Sequence, residues 1–195
     1  MVMDDATRKL ADLLIERSFL ENHDKPFVLA SGKTSPFYFE CSLTTTWPAA
    51  IPLIGQLVFE RIRGKVRAVG GPTMGADPIA AAVAYYSAGT ATPIPWFSIR
   101  KTAKDHGTGG FLEGSAPAPG EPIALVDDVL TRGGAMLDGL RAAKASGLLV
   151  RTAVVILDRQ EQDGRARVEQ ACAEAGAEFV ALLTKADIDA VRAGR

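Results

Sequence analysis

The sequence predicts an α/β fold, a mainly parallel sheet flanked by helices, with a small N-terminal appendage over its ligand edge. Three observations carry that prediction. Short apolar runs at residues 66–69, 94–99, 123–126, 152–157 and 178–183 alternate with helical stretches. Two of these runs end in glycine-rich turns that lead into a helix, at residues 70–78 and 131–135. The run at 123–126 also ends in two consecutive carboxylates, Asp127 and Asp128, at the sheet edge where open α/β folds bind ligands.

Taken in order, residues 4–20 read as an amphipathic helix, with Leu10, Leu14 and Phe19 near one face and Arg8, Asp12 and Arg17 away from it. Residues 25–40 read as two short strands around a Ser/Gly/Pro turn. Within them Gly32-Lys33-Thr34 imitates a nucleotide-triphosphate loop. The glycine such a loop needs five residues earlier is Phe27, and Pro36 stops any following helix. Pro48 opens a helix over about 48–63, which carries Ile51, Ile54, Leu57, Val58 and Ile62. The strand at 66–69 passes through the first glycine turn into an Ala-rich helix ending near Ser87. In the strand at 94–99, Pro95 lacks a backbone donor and so marks an edge or a strand start. After the acid-bearing strand come a helix at 134–146, a strand at 152–157, a helix at 163–175 and a last strand at 178–183. At 195 residues, without repeats or linkers, residues 1–195 read as one domain, with 20–45 as a hood over the ligand edge.

Composition excludes several classes. A net charge of −1 gives no basic field for nucleic acid. Cys41 and Cys172 make neither a disulfide framework nor a zinc pattern, and read as small buried hydrophobes in a reducing compartment. No apolar run approaches the ~20 residues that cross a bilayer, and Met-Val-Met-Asp-Asp lacks the features of a signal peptide. A cytoplasmic protein without membrane partners is expected.

The chemistry concentrates in residues 122–135. The turn Thr131-Arg132-Gly133-Gly134 offers backbone N–H groups and a helix N-terminus, a seat for a phosphate. Asp127 and Asp128 would repel that phosphate; they suit hydroxyl groups, as on a ribose, or a hydrated Mg²⁺. A pair of Asp residues after a strand can also do no more than end it and cap the next helix. The full string is more specific. It resembles the phosphoribosyl-pyrophosphate (PRPP) motif of type I phosphoribosyltransferases, a hydrophobic strand leading into Asp-Asp and a Thr/Gly-rich loop. The resemblance implies that Asp127 and Asp128 bind the ribose hydroxyls and that Thr131, Arg132, Gly133, Gly134 and Ala135 hold the 5′-phosphate. Val129 and Leu130 belong to the same PRPP-binding segment. Mg²⁺ would come with PRPP, reaching the two acids through water and no protein ligand directly.

Residues 100–110 place Arg100, Lys101, Lys104 and His106 before a glycine cluster. Such a composition suits a mobile segment and not a packed element. The plain reading is a solvated charged loop. In a nearly neutral chain that already has a phosphate seat, a lid closing over a polyanion is favoured. Arg159 follows a buried strand at the same sheet edge, where a guanidinium can meet a planar carboxylate with two parallel hydrogen bonds. A salt bridge to Asp158 or Glu161 is the plain alternative, and neither neighbour is sterically well placed for it.

Four segments between about 26 and 161 resemble orotate phosphoribosyltransferases, in that family's order: Phe27 to Phe39, the Arg-Lys-x-x-Lys-Asp-His-Gly string, the acid-pair motif, and Leu157-Asp158-Arg159-Gln160-Glu161. The resemblance implies transfer of the ribosyl phosphate of PRPP to orotate. Arg100, Lys101, Lys104 and His106 would contact the pyrophosphate, partly from the other subunit of a homodimer, with Lys104, Arg100, His106 and Asp128 as the catalytic set. Thr131, Arg159, Tyr38 and Phe39 would bind orotate. Two positions depart from the pattern: many members carry lysine where Ala30 and Gly75 stand, so the second phosphate turn offers backbone donors but no ammonium. A phosphoribosyltransferase for another base fits Arg159 less well. A PRPP-sensing regulator would not need the basic lid, and a dinucleotide-binding module would need a Gly-x-Gly-x-x-Gly that no strand here precedes.

Overall fold

The structure, a computed structural model, describes residues 3–28, 32, 34–104 and 110–195, with Ala103 and Lys104 described for the backbone only. Asp4 accepts the Thr7 N–H at 2.8 Å and so caps α1, Asp5–Arg17. The hood follows as β1 (Phe19–Glu21), β2 (Phe27–Val28), β3 (Thr34–Ser35) and β4 (Phe37–Phe39). A short α2 (Ser42–Thr45) and α3 (Ile51–Ile62) lead to β5 (Ala68–Pro72) and α4 (Ala76–Ser87). Next come β6 (Trp96–Lys104), β7 (Gly110–Gly114), β8 (Pro122–Leu130) and α5 (Gly134–Ala145). The chain ends with β9 (Leu149–Asp158), α6 (Gly164–Glu174), β10 (Glu178–Thr184) and α7 (Lys185–Ala193).

The central sheet has the order β10-β9-β8-β5-β6-β7, parallel except for β7. One face packs its apolar side chains with Leu10 and Leu14 of α1, Ile54 and Ile62 of α3, Ile79 of α4 and Ile188 of α7. The opposite face packs with Met136 and Leu140 of α5 and Val168 and Cys172 of α6. Burial on both sides explains why β8 and β9 read as nearly unbroken apolar runs. After β5 the chain crosses to β6 on one side; after β8 it crosses to β9 on the other. Strand order therefore reverses between β5 and β8, and the crevice at their carboxyl ends is the topological switch point. No helix among the described residues is long and apolar enough to cross a membrane.

Several elements differ from the sequence prediction. The first helix stops at Arg17, because Phe19–Glu21 pairs antiparallel with Phe37–Phe39 and stacks Phe19 on Phe37 at 5.4 Å. The third helix begins at Ile51 and takes Pro52, not Pro48, into its first turn. Of the two readings of Pro95 the strand start holds and the edge does not: β6 begins at Trp96 and lies between β5 and β7. The basic segment, expected to be unpacked, continues β6 as far as Lys104. It can do so because Phe111 and Leu112 of β7 pack on the core and give it a partner strand. The strand β7 and helices α2 and α7 were not foreseen.

The hood is tied to the body at its base. Ser18 and Thr44, both fully buried, share a hydrogen bond between their hydroxyls at 2.6 Å. Ser18→Ala leaves Thr44 without that partner and should lower unfolding free energy by about 1–2 kcal/mol, measured by urea denaturation.

Candidate active site

Asp127 and Asp128 are the sixth and seventh of the nine residues of β8, with its apolar half buried beneath them. The Asp128 N–H donates to Asp127 Oδ1 at 3.1 Å. Across the switch point stands Gly75, at the N-terminus of α4. A Cβ on Gly75 would lie 2.9 Å from Asp127 Oδ1 and 2.8 Å from Asp128 Oδ1, so the glycine is what lets this turn close on both carboxyl groups. The two glycine turns thus meet over one acid pair. Burial, and then the charge of Asp128, pushes the Asp127 carboxyl up to about 7. Asp128 is raised as well, by burial against the pull of backbone N–H groups, with Glu40 of the hood adding to it. The pair therefore holds a proton near neutrality and is suited to accept hydroxyl donors or a hydrated cation. Among the described residues no group of three or more acidic, His or Cys side chains encloses a metal. Two carboxyl groups fit a Mg²⁺ that keeps its waters and is brought by phosphate oxygens.

The second glycine turn, expected from the sequence to seat a phosphate, follows within one strand-to-helix step. Gly133 adopts φ 79° as the N-cap of α5, and no side chain caps that helix. A Cβ on Gly133 would fall 2.6 Å from Val168 Cγ2, so both conformation and space demand glycine there. A cavity of about 50 Å³ opens at this point, lined by Asp127, Thr131, Gly133, Gly134 and Ala135 among others. Its size and free helix N-terminus suit one phosphate group. Leu130 is buried in the core on one face of the sheet and Val129 packs on the core of the other face, so these two offer a ligand chiefly their backbone. Arg132 offers its carbonyl to Arg167 Nη1 at 3.1 Å.

On the other side of the acids, the Arg159 N–H donates to the carbonyl of Leu130 at 3.0 Å, which sets Arg159 beside the start of the phosphate turn. Its guanidinium is mostly buried and lies 5.9 Å from the Tyr38 ring. In β4 the residues alternate. Phe37 and Phe39 turn to Phe19, while Tyr38 faces Arg159 and stacks on Phe27 at 5.6 Å. Phe39 therefore has only backbone to offer a ligand. Burial, with Glu40 next, raises the Tyr38 phenol; Arg159 opposes this and Asp128 adds to it, so hood, guanidinium and acid pair share one electrostatic neighbourhood. The sequence reading of Arg159 as sterically clear of its neighbours is corrected. Arg159 Nη2 lies 2.6 Å from Glu161 Oε1, because Gln160 takes φ 54° and bends the chain back on itself.

The start of the basic segment adjoins the same turns. Arg100 and Lys101 line a cavity of about 570 Å³ together with Thr73, Phe111 and Ala135. Arg100 Nη1 lies 3.2 Å from Glu113 Oε2, and its Nε is buried without a hydrogen-bond partner among the described residues. His106, Ala30 and the side chain of Lys104 lie outside the described residues. Sequence reasoning missed Glu40 and Glu113 as neighbours of the site, and it placed Gln160 and Glu161 in the segment around Arg159 without giving either a role; neither Glu40 nor Glu113 carried a local signal.

No protein-family model matches the chain. An orotate phosphoribosyltransferase of Rhodopirellula baltica is 35% identical over 196 residues, covering 96% of this chain and 97% of that protein. One from Nostoc sp. is 35% identical over 181 residues, covering 93% of this chain and 84% of the relative. The crystal structure of Mycobacterium tuberculosis orotate phosphoribosyltransferase in complex with PRPP superposes with a TM-score of 0.74 at 26% identity, over 94% of this chain and 99% of that one.

The folded Asp127 carboxyl keeps its proton to about 7, whereas an ordinary Asp releases it at 3.8. Ligand-free stability should therefore fall as pH rises between those values and level off above them, by as much as ~4 kcal/mol. Asp127→Asn should unfold several degrees above the parent near pH 8 and almost with it near pH 4, as read by calorimetry across that range.

Proposed function

This chain belongs to the orotate phosphoribosyltransferases, and from that premise we propose how its own side chains carry the reaction. The enzyme transfers the 5-phosphoribosyl group of PRPP to orotate, giving orotidine 5′-monophosphate and pyrophosphate on the way to UMP. The observation that carries the assignment of roles is the meeting of acid pair, phosphate turn and Arg159 at one switch point.

In this reading Asp127 and Asp128 accept the ribose hydroxyls, and the backbone from Val129 to Ala135 holds the 5′-phosphate with Thr131, Arg132, Gly133 and Gly134. Arg159 reads the orotate carboxylate, and Thr131, Tyr38 and the backbone at Phe39 border the ring. The bond to pyrophosphate breaks early and leaves an oxocarbenium-like sugar, so no covalent enzyme nucleophile is needed. A carboxylate at Asp128 lies where positive charge develops on that sugar, and Arg100, Lys101, Lys104 and His106 neutralise the departing pyrophosphate. Holding both reactants in line supplies the rest. Mg²⁺, held by PRPP oxygens and reaching Asp127 and Asp128 through water, would add charge neutralisation of the leaving group.

We also assign a homodimer in which the basic segment of one subunit serves the site of the other. Met74 and Tyr85 stand exposed on the first glycine turn and on α4, apolar surface that a second copy would cover. The whole chain acts as one catalytic domain with residues 20–45 as its hood. With two buried free cysteines it suits the reducing cytoplasm.

An ultraviolet assay of orotate consumption should require PRPP and Mg²⁺, and uracil, adenine and guanine should not replace orotate. Lys104→Ala should lower kcat about 100-fold or more while PRPP KM changes little; unchanged turnover would remove the basic segment from the mechanism. Mixing Lys104→Ala with Asp128→Asn subunits should restore about a quarter of the parent activity if lids are shared, since half the dimers then hold one intact site. Mixtures as inactive as either variant alone would place each lid over its own site.

A further inference from the structure

The turn after β9 holds two non-glycine residues in the left-handed region, Gln160 at φ 54° and Gln162 at φ 52°. A side chain there needs support from surrounding structure. For Gln160 the support comes from two sides. Its N–H donates to Asp158 Oδ1 at 2.8 Å, and its side-chain Oε1 accepts the N–H of Ala186 at 2.9 Å. Asp158 is itself fixed, buried and paired through Oδ2 with Arg165 Nη1 at 3.2 Å. Ala186 lies in the first turn of α7, where backbone N–H groups have no partner within the helix. Thr184 Oγ1 takes the N–H of Asp187, and Gln160 takes that of Ala186. Turn and C-terminal helix thus complete each other's hydrogen bonding, and Arg159 sits at the start of the bend they share.

We propose that Gln160 is a positioning residue for base recognition: docked on the first turn of α7, it fixes the bend that aims Arg159 at the carboxylate of the base. This rests on the assignment of Arg159 to that carboxylate. Gln160 acts through the guanidinium, because its side-chain oxygen is engaged by the helix. Losing the amide frees the N–H of Ala186 and removes one of the two supports that hold φ positive, so the guanidinium loses its fixed direction while the acid pair and the second glycine turn, on β8 and α5, keep theirs.

In the full-length enzyme, Gln160→Ala should raise orotate KM about tenfold and leave PRPP KM within about twofold. Gln160→Glu keeps an acceptor oxygen for Ala186 and should hold orotate KM within about threefold of the parent; it also serves if the alanine protein does not fold. A glutamate variant as impaired as Arg159→Ala overturns the proposal. Arg159→Ala tests the premise separately: an unchanged orotate KM there overturns the role of Arg159 itself. A raised KM there beside an unchanged one in Gln160→Ala overturns only the role of Gln160. In the double variant, orotate KM should equal that of Arg159→Ala, since no further loss can pass through an absent guanidinium. A further multiplicative rise would show that Gln160 acts by another route.

Discussion

Two carboxyl groups are held side by side below the surface at the place where the sheet reverses its strand order, and much of the surrounding structure serves to keep them there. Burial opposes the ionisation of both, and the charge of Asp128 adds to the effect on Asp127, enough to lift Asp127 to about 7. What opposes that penalty is the lower half of the same strand. Ile123, Leu125 and Val126 are fully buried, between neighbours on β5 and β9. At roughly 1.5–3 kcal/mol per such side chain, their burial is of the same order as the penalty above them. The strand can therefore carry an unfavourable end because its beginning is firmly held, a division of labour along nine residues.

That division is also why this part was legible in the sequence. An unbroken apolar run, then Asp-Asp, then Thr-Arg-Gly-Gly is a local pattern, and local patterns survive folding when one strand and one helix contain them. The strand before Arg159 was legible for the same reason. Elements that depend on distant partners were not. Phe19 satisfies a helical spacing and a strand pairing equally well; the aromatic side chains at 37 and 39, some 20 residues away, decide the matter. The basic segment reads as unstructured until Phe111 and Leu112 supply a strand beyond the glycines. Glu161 looked remote from Arg159 because no sequence rule foresees glutamine at φ 54°.

The side of the site that holds Arg159 is assembled from three elements that are separate in sequence, and α7 joins them. Arg192 of α7 lies with its guanidinium 4.0 Å from the ring of Phe19, behind the hood strand that presents Tyr38 to Arg159. The first turn of the same helix receives Gln160. One nine-residue helix thus braces both walls, the aromatic one through a cation over a ring and the polar one through a backbone N–H. Its own N-terminus is closed by a reciprocal pair of hydrogen bonds between Thr184 and Asp187, so the brace is itself rigid where the turn docks.

Gly75 gives the acid pair its character in the absence of substrate. Where many relatives by motif carry an ammonium in this turn, the chain places a glycine against both carboxyl groups, so close that any Cβ would crowd them. No lysine of the turn can then act as a standing counter-ion. The nearest hood acid, Glu40, makes matters less favourable for the anion. The remaining way to lower the charge is to retain a proton, which is what the raised Asp127 does. Binding would exchange that proton for hydroxyl donors and the cation that accompanies the phosphates, groups that favour the ionised form. In the proposed reading the same exchange would turn an unfavourable resting site into affinity: the ligand would supply the neutralisation that the fold withholds, and a closely fitted glycine keeps the fold from supplying it.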